Sequence, residues 1–600
     1  MLVIDAGSET PVKANLDPAK IASILKCLNN VTSAQTVAFV VPKEEGYVIR
    51  NDIFQDRLHG CLGIQKVVSL VRPRQFVGSL PATAQGLVKS IELAVCCILI
   101  DGVADGSAKM LSDYLQLRER LSLQWLSPTP IPLRRLAVVG EIRPAHLSSH
   151  FFIAARSLGV EVVALGPRGH WLQNPEYPNR AAVFLELDLT VDPGLPESIV
   201  AALQAYGGKI DGITTVTEYL LIPVAQAAEK LGLPTSPSTS FIKSVNKHQT
   251  RLLDNPNSCH LVTSLDTFQS QLSPEKQDIL PPGPPWIVKP CNGWHSLGVA
   301  KVATKKELLA AVKKVAKYAA YSRNEPNPED PQWQTNVLIE EYCDGPEVDC
   351  NFVLWEGQIL FFQAIDNFPC AGDAVTEDMQ TTENFKETQL LFPSALPPSE
   401  LNILKSSLYD TITRLGFRSG VFHVEARVRD SSYCYRAAGD DEILDLRPNL
   451  EPQTHEASVF LIEVNARPPG YVDTCASYYA DGVDLFALQI LIALGDEFRT
   501  RALSQPYHST SNVVVSAIQA KKAGTIESAD PWNELAQKNP TLMGNVVHRV
   551  MAFGKGDRID NPLLDTTPWL SAFTACSLGS RADVLNLCSH VKREFECEIA

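Results

Sequence analysis

Two strand-like runs place the tightest constraint on how this chain can fold. They are Gly420-Val-Phe-His-Val-Glu-Ala-Arg427 and, about forty residues on, Phe460-Leu-Ile-Glu-Val-Asn-Ala-Arg-Pro-Pro-Gly470. In each, apolar and β-branched residues alternate with polar ones, the signature of a strand with one buried face. Side chains in a strand repeat every two residues, so Glu463, Asn465 and Arg467 share one face, as do His423, Glu425 and Arg427. If the two strands pair, two carboxylates, an amide and one or two guanidiniums converge on one surface. Hard oxygen ligands of this kind suit Mg²⁺ that also carries nucleotide phosphates. A solvated strand face with surface ion pairs would display the same residue types. The Pro-Pro-Gly that halts the second run marks a loop edge and favours the functional reading.

Six hundred residues exceed what one core can organise, so three to four domains are expected. Net charge is 53 − 68 = −15, a balance that disfavours a nucleic-acid partner because nothing neutralises phosphates in bulk. The opening Met1-Leu-Val-Ile-Asp-Ala-Gly7 has no basic start and no long apolar run, so no secretory leader is expected. The apolar stretches at 93–100 and 485–494 are too short to span a bilayer. The fourteen cysteines show no Cys-x-x-Cys pair and no zinc spacing, and Cys96 and Cys97 lie in an apolar run. The expectation is a reduced, cytoplasmic, multidomain protein with no membrane partner; self-association is compatible with the composition.

Along the chain, residues 133–240 have the rhythm of a small α/β unit, with strand runs at 136–140, 160–166, 182–187 and 210–216 separated by helical stretches. No Gly-x-Gly-x-x-Gly follows the first run, so a dinucleotide site is not supported there. The first 130 residues form their own α/β piece, and Pro128, Pro130 and Pro132 mark the linker after it. Residues 511–600 alternate strands (513–518, 546–553) with a final helix near 582–595. Residues 481–495 read as an amphipathic core helix.

Between these pieces lie further fragments with chemical content. The run 286–299 puts Lys289 at a strand end, followed by a loop bearing Gly293, Ser296 and Gly298. A lysine there can neutralise a phosphate while loop amides close over its oxygens, although a surface lysine with a buried stem fits the same pattern. The fragment 336–349 is an apolar strand ending in Glu340, Glu341 and Tyr342, whose backbone can pair with an adenine edge; Glu347 can accept hydrogen bonds from ribose hydroxyls. An ordinary acidic hairpin is the plainer reading of that fragment.

The order of parts is Lys247 on a helix, Lys289, the glycine-bearing loop, the acidic hinge, the Glu425 strand and the Glu-x-Asn-x-Arg strand. It resembles the ATP-grasp superfamily of ATP-dependent ligases. The resemblance covers about residues 133–505 and leans toward amino-acid ligases of the bacilysin-synthetase type and carnosine synthases, carried by residues 385–397, 416–425 and 481–495. It implies an α/β protein, α+β in its catalytic part. An N-terminal domain (1–130) would be followed by a Rossmann-like domain (131–240), an ATP-grasp domain (241–505, lid 285–345) and a C-terminal α+β subdomain (506–600). It also implies ATP and one or two Mg²⁺ ions, for which Mn²⁺ can substitute. Residue by residue, Lys247 and Lys289 would bind phosphates under the loop of Gly293, Ser296 and Gly298. Glu341 and Tyr342 would line the adenine, and Glu347 the ribose. Glu425, Glu463 and Asn465 would hold metal, Arg467 would stabilise the acyl phosphate, and His423 would lie beside the acceptor. Trp294 and His295 depart from the small residues that relatives favour in the loop. The substrate pockets would draw on residues 366–382, Trp294, His423 and the segment after Arg467.

The activity so implied is an ADP-forming carboxylate–amine ligation through an acyl phosphate, joining amino acids or similar small molecules. Bicarbonate activation keeps the fold with other chemistry, but the chain has no biotin-attachment Met-Lys-Met. A third reading is a regulatory ATP-binding protein that has lost catalysis; the intact Glu425, Glu463, Asn465 and Arg467 argue against it.

Overall fold

The computed structural model describes residues 2–4, 18–28, 36–58, 64–79, 87–100, 120–140, 145–177, 180–272, 279–293, 296, 298–321, 336–373, 385–438, 443–451, 453, 455–507, 511–560 and 569–600. By its contacts the chain divides into two compact units. Among the described residues no helix is long and apolar enough to cross a membrane.

The first unit comprises Met1–Asp188, Leu203–Thr214 and Ser477–Thr510. It holds an antiparallel sheet in the order Leu2–Ile4, Thr36–Val40, Cys96–Ile100, Ile64–Ser69. It also holds a parallel sheet in the order Val183–Glu186, Val160–Gly166, Arg134–Val139, Gly212–Thr214. The Val/Leu/Ala run of the second of these strands is buried along nearly its whole length, as a parallel strand covered on both faces requires. The stretch read as one amphipathic helix at 481–495 is instead a shorter helix, Leu485–Ala493, buried nearly all round. Asp484 caps it by accepting from the Phe486 and Ala487 amides and is held by Arg50 Nη1 at 2.8 Å. Its polar Gln489 is satisfied by Thr214 Oγ1 at 2.9 Å, so the helix needs no solvent face.

The second unit comprises Leu189–Ala202, Thr215–Ala476 and Ser511–Ala600 and carries the candidate site. Its first layer is a small antiparallel sheet built from β1 (Cys259–Val262), β2 (Trp286–Pro290), β3 (Ala300–Val302) and β4 (Val337–Glu341), in the order β1-β4-β2-β3. Trp286, Val288, Val337 and Ile339 pack with α2 (Lys305–Tyr321) on one face of it. Ahead of this sheet runs α1 (Lys247–Asp254), whose first turn is fixed by the Asn246 side chain accepting from the Gln249 amide.

The second layer is an eight-stranded antiparallel sheet. In chain order its strands are β5 (Glu347–Trp355), β6 (Gln358–Asn367), β7 (Gln389–Phe392), β8 (Gly420–Arg429), β9 (Ser458–Asn465), β10 (Asn512–Ile518), β11 (Val546–Met551) and β12 (Ser571–Ser577). Their spatial order is β9-β8-β5-β6-β7-β10-β12-β11. The runs from Gly420 and from Phe460 are therefore both strands, and they are neighbours. One face is apolar: Val348, Cys350, Phe352, Val424, Ala426 and Val464 pack against Leu404, Leu408 and Ile412 of α3 (Pro398–Arg414). Each such large side chain contributes roughly 1.5–3 kcal/mol by leaving water. Burying this face forces the alternate residues of β5, β8 and β9 onto the other. Gly345, in the turn from β4 to β5, has φ +123 and an absent Cβ that would lie 2.2 Å from the Val428 carbonyl oxygen, so only glycine fits there.

Candidate functional site

The polar face of β5, β8 and β9 is organised in rows set by strand register. Asp349 lies directly opposite Glu425, and Glu425 directly opposite Glu463. One row over, Asn351 faces His423 and His423 faces Asn465. On the other side Glu347 faces Arg427. After the carboxylate row the register slips, with Ala426 opposite Leu461, which leaves Ile462 bulged and aims Glu463 at Glu425. Three carboxylates side by side across a sheet are mutually destabilising without cations.

Cations are supplied from several elements. Lys247, at the start of α1, places Nζ 2.7 Å from Glu463 Oε1 and donates to the Gly293 carbonyl at 2.8 Å. Lys289, on β2, pairs with Glu340 Oε1 at 2.5 Å, and Arg251 Nε reaches the other oxygen of Glu340 at 3.2 Å. Strand alternation explains why it is Glu340: Val337 and Ile339 belong to the apolar core of the small sheet, so Leu338 and Glu340 share the Lys289 side. Glu341 is turned from that side and its carboxylate pairs with Arg429 at 2.9 Å. Arg467 donates to Glu218 Oε2 at 2.7 Å and to Asn465 Oδ1 at 3.2 Å.

Arg427 ties the hinge together. It donates through Nε and Nη2 to Glu347 Oε2 (3.0 and 2.7 Å), through Nη2 to Asp373 at 2.6 Å, and through Nη1 to the Tyr342 hydroxyl at 3.2 Å. The Tyr342 hydroxyl donates to Asp373 at 3.0 Å, its amide donates to the Pro285 carbonyl, and Lys301 Nζ sits 4.0 Å over its ring. In the glycine-bearing loop, Ser296 (φ +53) and Gly298 (φ +75) both take left-handed backbone. Trp294 and His295 lie outside the described residues.

Electrostatics separate the carboxylates. Burial, then Glu463 and Glu347, push Glu425 from 4.5 up to about 8. Among the described residues the basic group at ion-pair distance from it is His423 Nε2 at 3.9 Å, and burial followed by the Arg467 charge pushes that imidazole down to about 3, so it is neutral. His423 Nδ1 is 3.0 Å from Asn351 Oδ1. Burial opposes the Lys247 charge, but Glu463 and Glu218 hold it above the ordinary lysine value. Burial likewise opposes Glu340, and Lys289 with Arg251 bring it below the usual carboxylate range. Burial raises Glu347 more than Arg427 lowers it. Asp349 is raised by burial and by Glu387, Glu425 and Glu347, and Asp473 is raised to about 6 by burial.

Among the described residues no three His, Cys, Asp or Glu side chains are grouped to hold a metal. The set at this wall is two carboxylates and an amide, Glu425, Glu463 and Asn465, with Asn465 Nδ2 3.4 Å from Glu425 Oε1. All are hard donors, and a divalent cation would offset the burial and the like-charge repulsion that hold a proton on Glu425, so these residues fit Mg²⁺.

Four polar residues belong to this surface that sequence reasoning did not single out for a role: Asp349, Glu340, Glu218 and Arg427. Asp349 had a signal, since Glu347, Asp349 and Asn351 alternate along β5. Glu218 had none, because its partner Arg467 is 249 residues away.

Known proteins share this architecture. The model of the ATP-grasp N-terminal domain matches residues 152–235, and that of the ATP-grasp domain matches residues 283–436. The ATP-grasp enzyme fsqD of Aspergillus fumigatus is 31% identical over 578 residues, 93% of this chain and 97% of that protein. Carnosine synthase 1 of Gallus gallus is 29% identical over 165 residues, 27% of this chain and 14% of that protein. The crystal structure of an L-amino acid ligase from Bacillus licheniformis superposes with a TM-score of 0.59 at 20% identity, covering 78% of this chain and 99% of that one. The resemblance and the fold read from the sequence are borne out.

Proposed function

This chain belongs to the ATP-grasp enzymes and is a ligase, and we propose that it joins a carboxylate to an amine through an acyl phosphate, with amino acids or similar small molecules as substrates. The observation that carries the reading is the carboxylate row of β8 and β9, Glu425 opposite Glu463, with Lys247 on one side and the Arg467–Asn465 contact on the other. The similarity to an L-amino acid ligase and to carnosine synthase supports the substrate class.

In this reading Lys247 and Lys289 neutralise the phosphates of ATP, and the loop of Gly293, Ser296 and Gly298 covers them. The backbone beside Glu341 and Tyr342 meets the adenine, and Glu347, oriented by Arg427, takes the ribose. Mg²⁺ held by Glu425, Glu463 and Asn465 would neutralise charge on the transferring phosphoryl group; Mn²⁺ can take its place. The substrate carboxylate takes the terminal phosphoryl group and ADP leaves. Attack by the amine on the acyl carbon then forms the C–N bond, the bond from that carbon to the phosphate oxygen breaks, and phosphate departs. Arg467 stabilises the negative oxygen that develops in between. His423, neutral and held by Asn351, borders the acceptor as an uncharged hydrogen-bonding group. No protein nucleophile is needed, so the chain's contribution is position, charge and exclusion of water. We place the enzyme in the cytoplasm on its cysteine usage.

The test is ADP release by the full chain in the presence of ATP, Mg²⁺ and a mixture of amino acids and simple amines. Turnover that needs two organic substrates and is lost in Glu463→Gln is expected. Bicarbonate-dependent turnover points to a carboxylase, and undiminished ADP release by Glu463→Gln sinks the site assignment.

A further inference from the structure

The helix α1 meets the strand β9 through two rungs. Lys247, its first residue, holds Glu463 at 2.7 Å, and Arg251, one turn on, donates through Nη2 to the Leu461 carbonyl. Four residues of helix rise about 6 Å and two residues of strand span about 6.6–6.8 Å, so the paired spacings match. β9 is the outer strand of its sheet, and an outer edge carries backbone groups that no strand neighbour satisfies. Leu461 stands directly before the slip at Ile462 that aims Glu463, so Arg251 anchors the strand at its bulge.

The other nitrogens of Arg251 reach two further acceptors. Nε donates to Glu340 Oε2 at 3.2 Å, while the second oxygen of Glu340 holds Lys289 at 2.5 Å. Nη1 donates to Asp254, the last residue of α1, at 2.8 Å. The guanidinium carbon lies over the Phe460 ring, 4.1 Å from its centroid. The side chain is 2% exposed, so water has little access to these contacts. A planar fork with five donors serves three directions at once, which a lysine ammonium at the same place does not.

Resting on the nucleotide-site reading of Lys247, Lys289 and Glu463, we propose that Arg251 is the positioning residue of that site. Enclosed by protein, it acts through others. It fixes the approach of α1 to β9, and with it the place of Lys247 Nζ, and it holds the carboxylate that orients Lys289. Groups that neutralise phosphates act by position, and a misplacement of about 1 Å can cost as much as about a hundredfold.

A double-mutant cycle tests this on the full chain, with calorimetry reading the affinity for a non-hydrolysable ATP analogue in the presence of Mg²⁺. Arg251→Lys keeps the charge and loses the fork. It is expected to weaken binding about tenfold in the parent, and less than about threefold when Lys247→Met is already present, because one of the cations it aims is then gone. Phe460→Leu leaves every donor and acceptor of Arg251 in place and removes only the ring under the guanidinium. It is expected to show the same dependence on Lys247 with a loss of about threefold, and it carries the test if Arg251→Lys does not fold. In whichever variant folds, an unchanged affinity, or an equal loss with and without Lys247, overturns the positioning role, since general loosening of the fold acts alike in both backgrounds. A parent chain that does not bind the analogue, or a Lys247→Met variant that binds it as the parent does, overturns the site reading on which the proposal rests.

Discussion

Replacing Lys247 with methionine removes the cation from the carboxylate row while keeping most of the side-chain volume. The Lys247 and Glu463 side chains are 9% and 13% exposed and 2.7 Å apart, so this is a buried pair broken from one side. Such losses cost about 3–5 kcal/mol; the slight exposure of Glu463 puts the expected cost near the lower end, about 3 kcal/mol at about pH 9. The cost depends on pH with a definite sign. Glu425 already sits at about 8 in the folded protein, against an ordinary 4.5, and losing the Lys247 charge, which lowers it, raises it further. A group whose folded value is raised contributes stability at low pH that is lost as pH rises through that value. At about pH 6 Glu425 holds its proton, the like-charge repulsion across the row is relieved, and the deficit shrinks to about 1 kcal/mol. Urea unfolding of metal-free protein at both pH values reads this as a midpoint shift at unchanged slope. Adding Glu463→Gln to the variant is expected to restore more than half of the loss at high pH, because it removes the charge left unpaired. An equal deficit at both pH values, or no recovery in the double variant, refutes the idea that like-charge repulsion across β8 and β9 governs this wall.

Two further predictions concern the metal and the nucleotide. Because Glu425 must lose its proton to bind a cation, Mn²⁺ affinity followed by electron paramagnetic resonance weakens as pH falls through about 8, and Glu425→Gln binds weakly at every pH. Arg427→Lys keeps the charge but loses the fork that holds Glu347, Asp373 and Tyr342 together. Steady-state kinetics of that variant should show KM for ATP raised about tenfold with kcat within about threefold; an unchanged KM removes Arg427 from the nucleotide site.

The two strands that carry the row were legible because alternation over seven or more residues with an apolar partner face has few other readings. Their register was not legible. The slip at Ile462 that turns Glu463 toward Glu425 depends on pairing across the sheet, which periodicity within one strand does not encode. The same gap hid the choice between Glu340 and Glu341: adjacent glutamates point to opposite faces, and the face is decided by the burial of Val337 and Ile339. Asp349 was within reach of the period-two pattern of β5, whose first residues read more readily as a hinge. Glu218 lies in a short turn, Glu218–Leu220, and meets Arg467 through tertiary packing alone. The helix Leu485–Ala493 misled in another way, since burial on almost every side erases the amphipathic period by which helices are recognised.

The proposed ligation activates a carboxylate by phosphorylation before an amine displaces the phosphate. Oxygen-18 placed in the substrate carboxylate tests it directly. With ATP, Mg²⁺ and the substrate pair found by ADP release, one labelled oxygen is expected in each inorganic phosphate released, with ADP, phosphate and amide formed in equal amounts. Unlabelled phosphate, or label appearing in AMP with release of pyrophosphate, contradicts it.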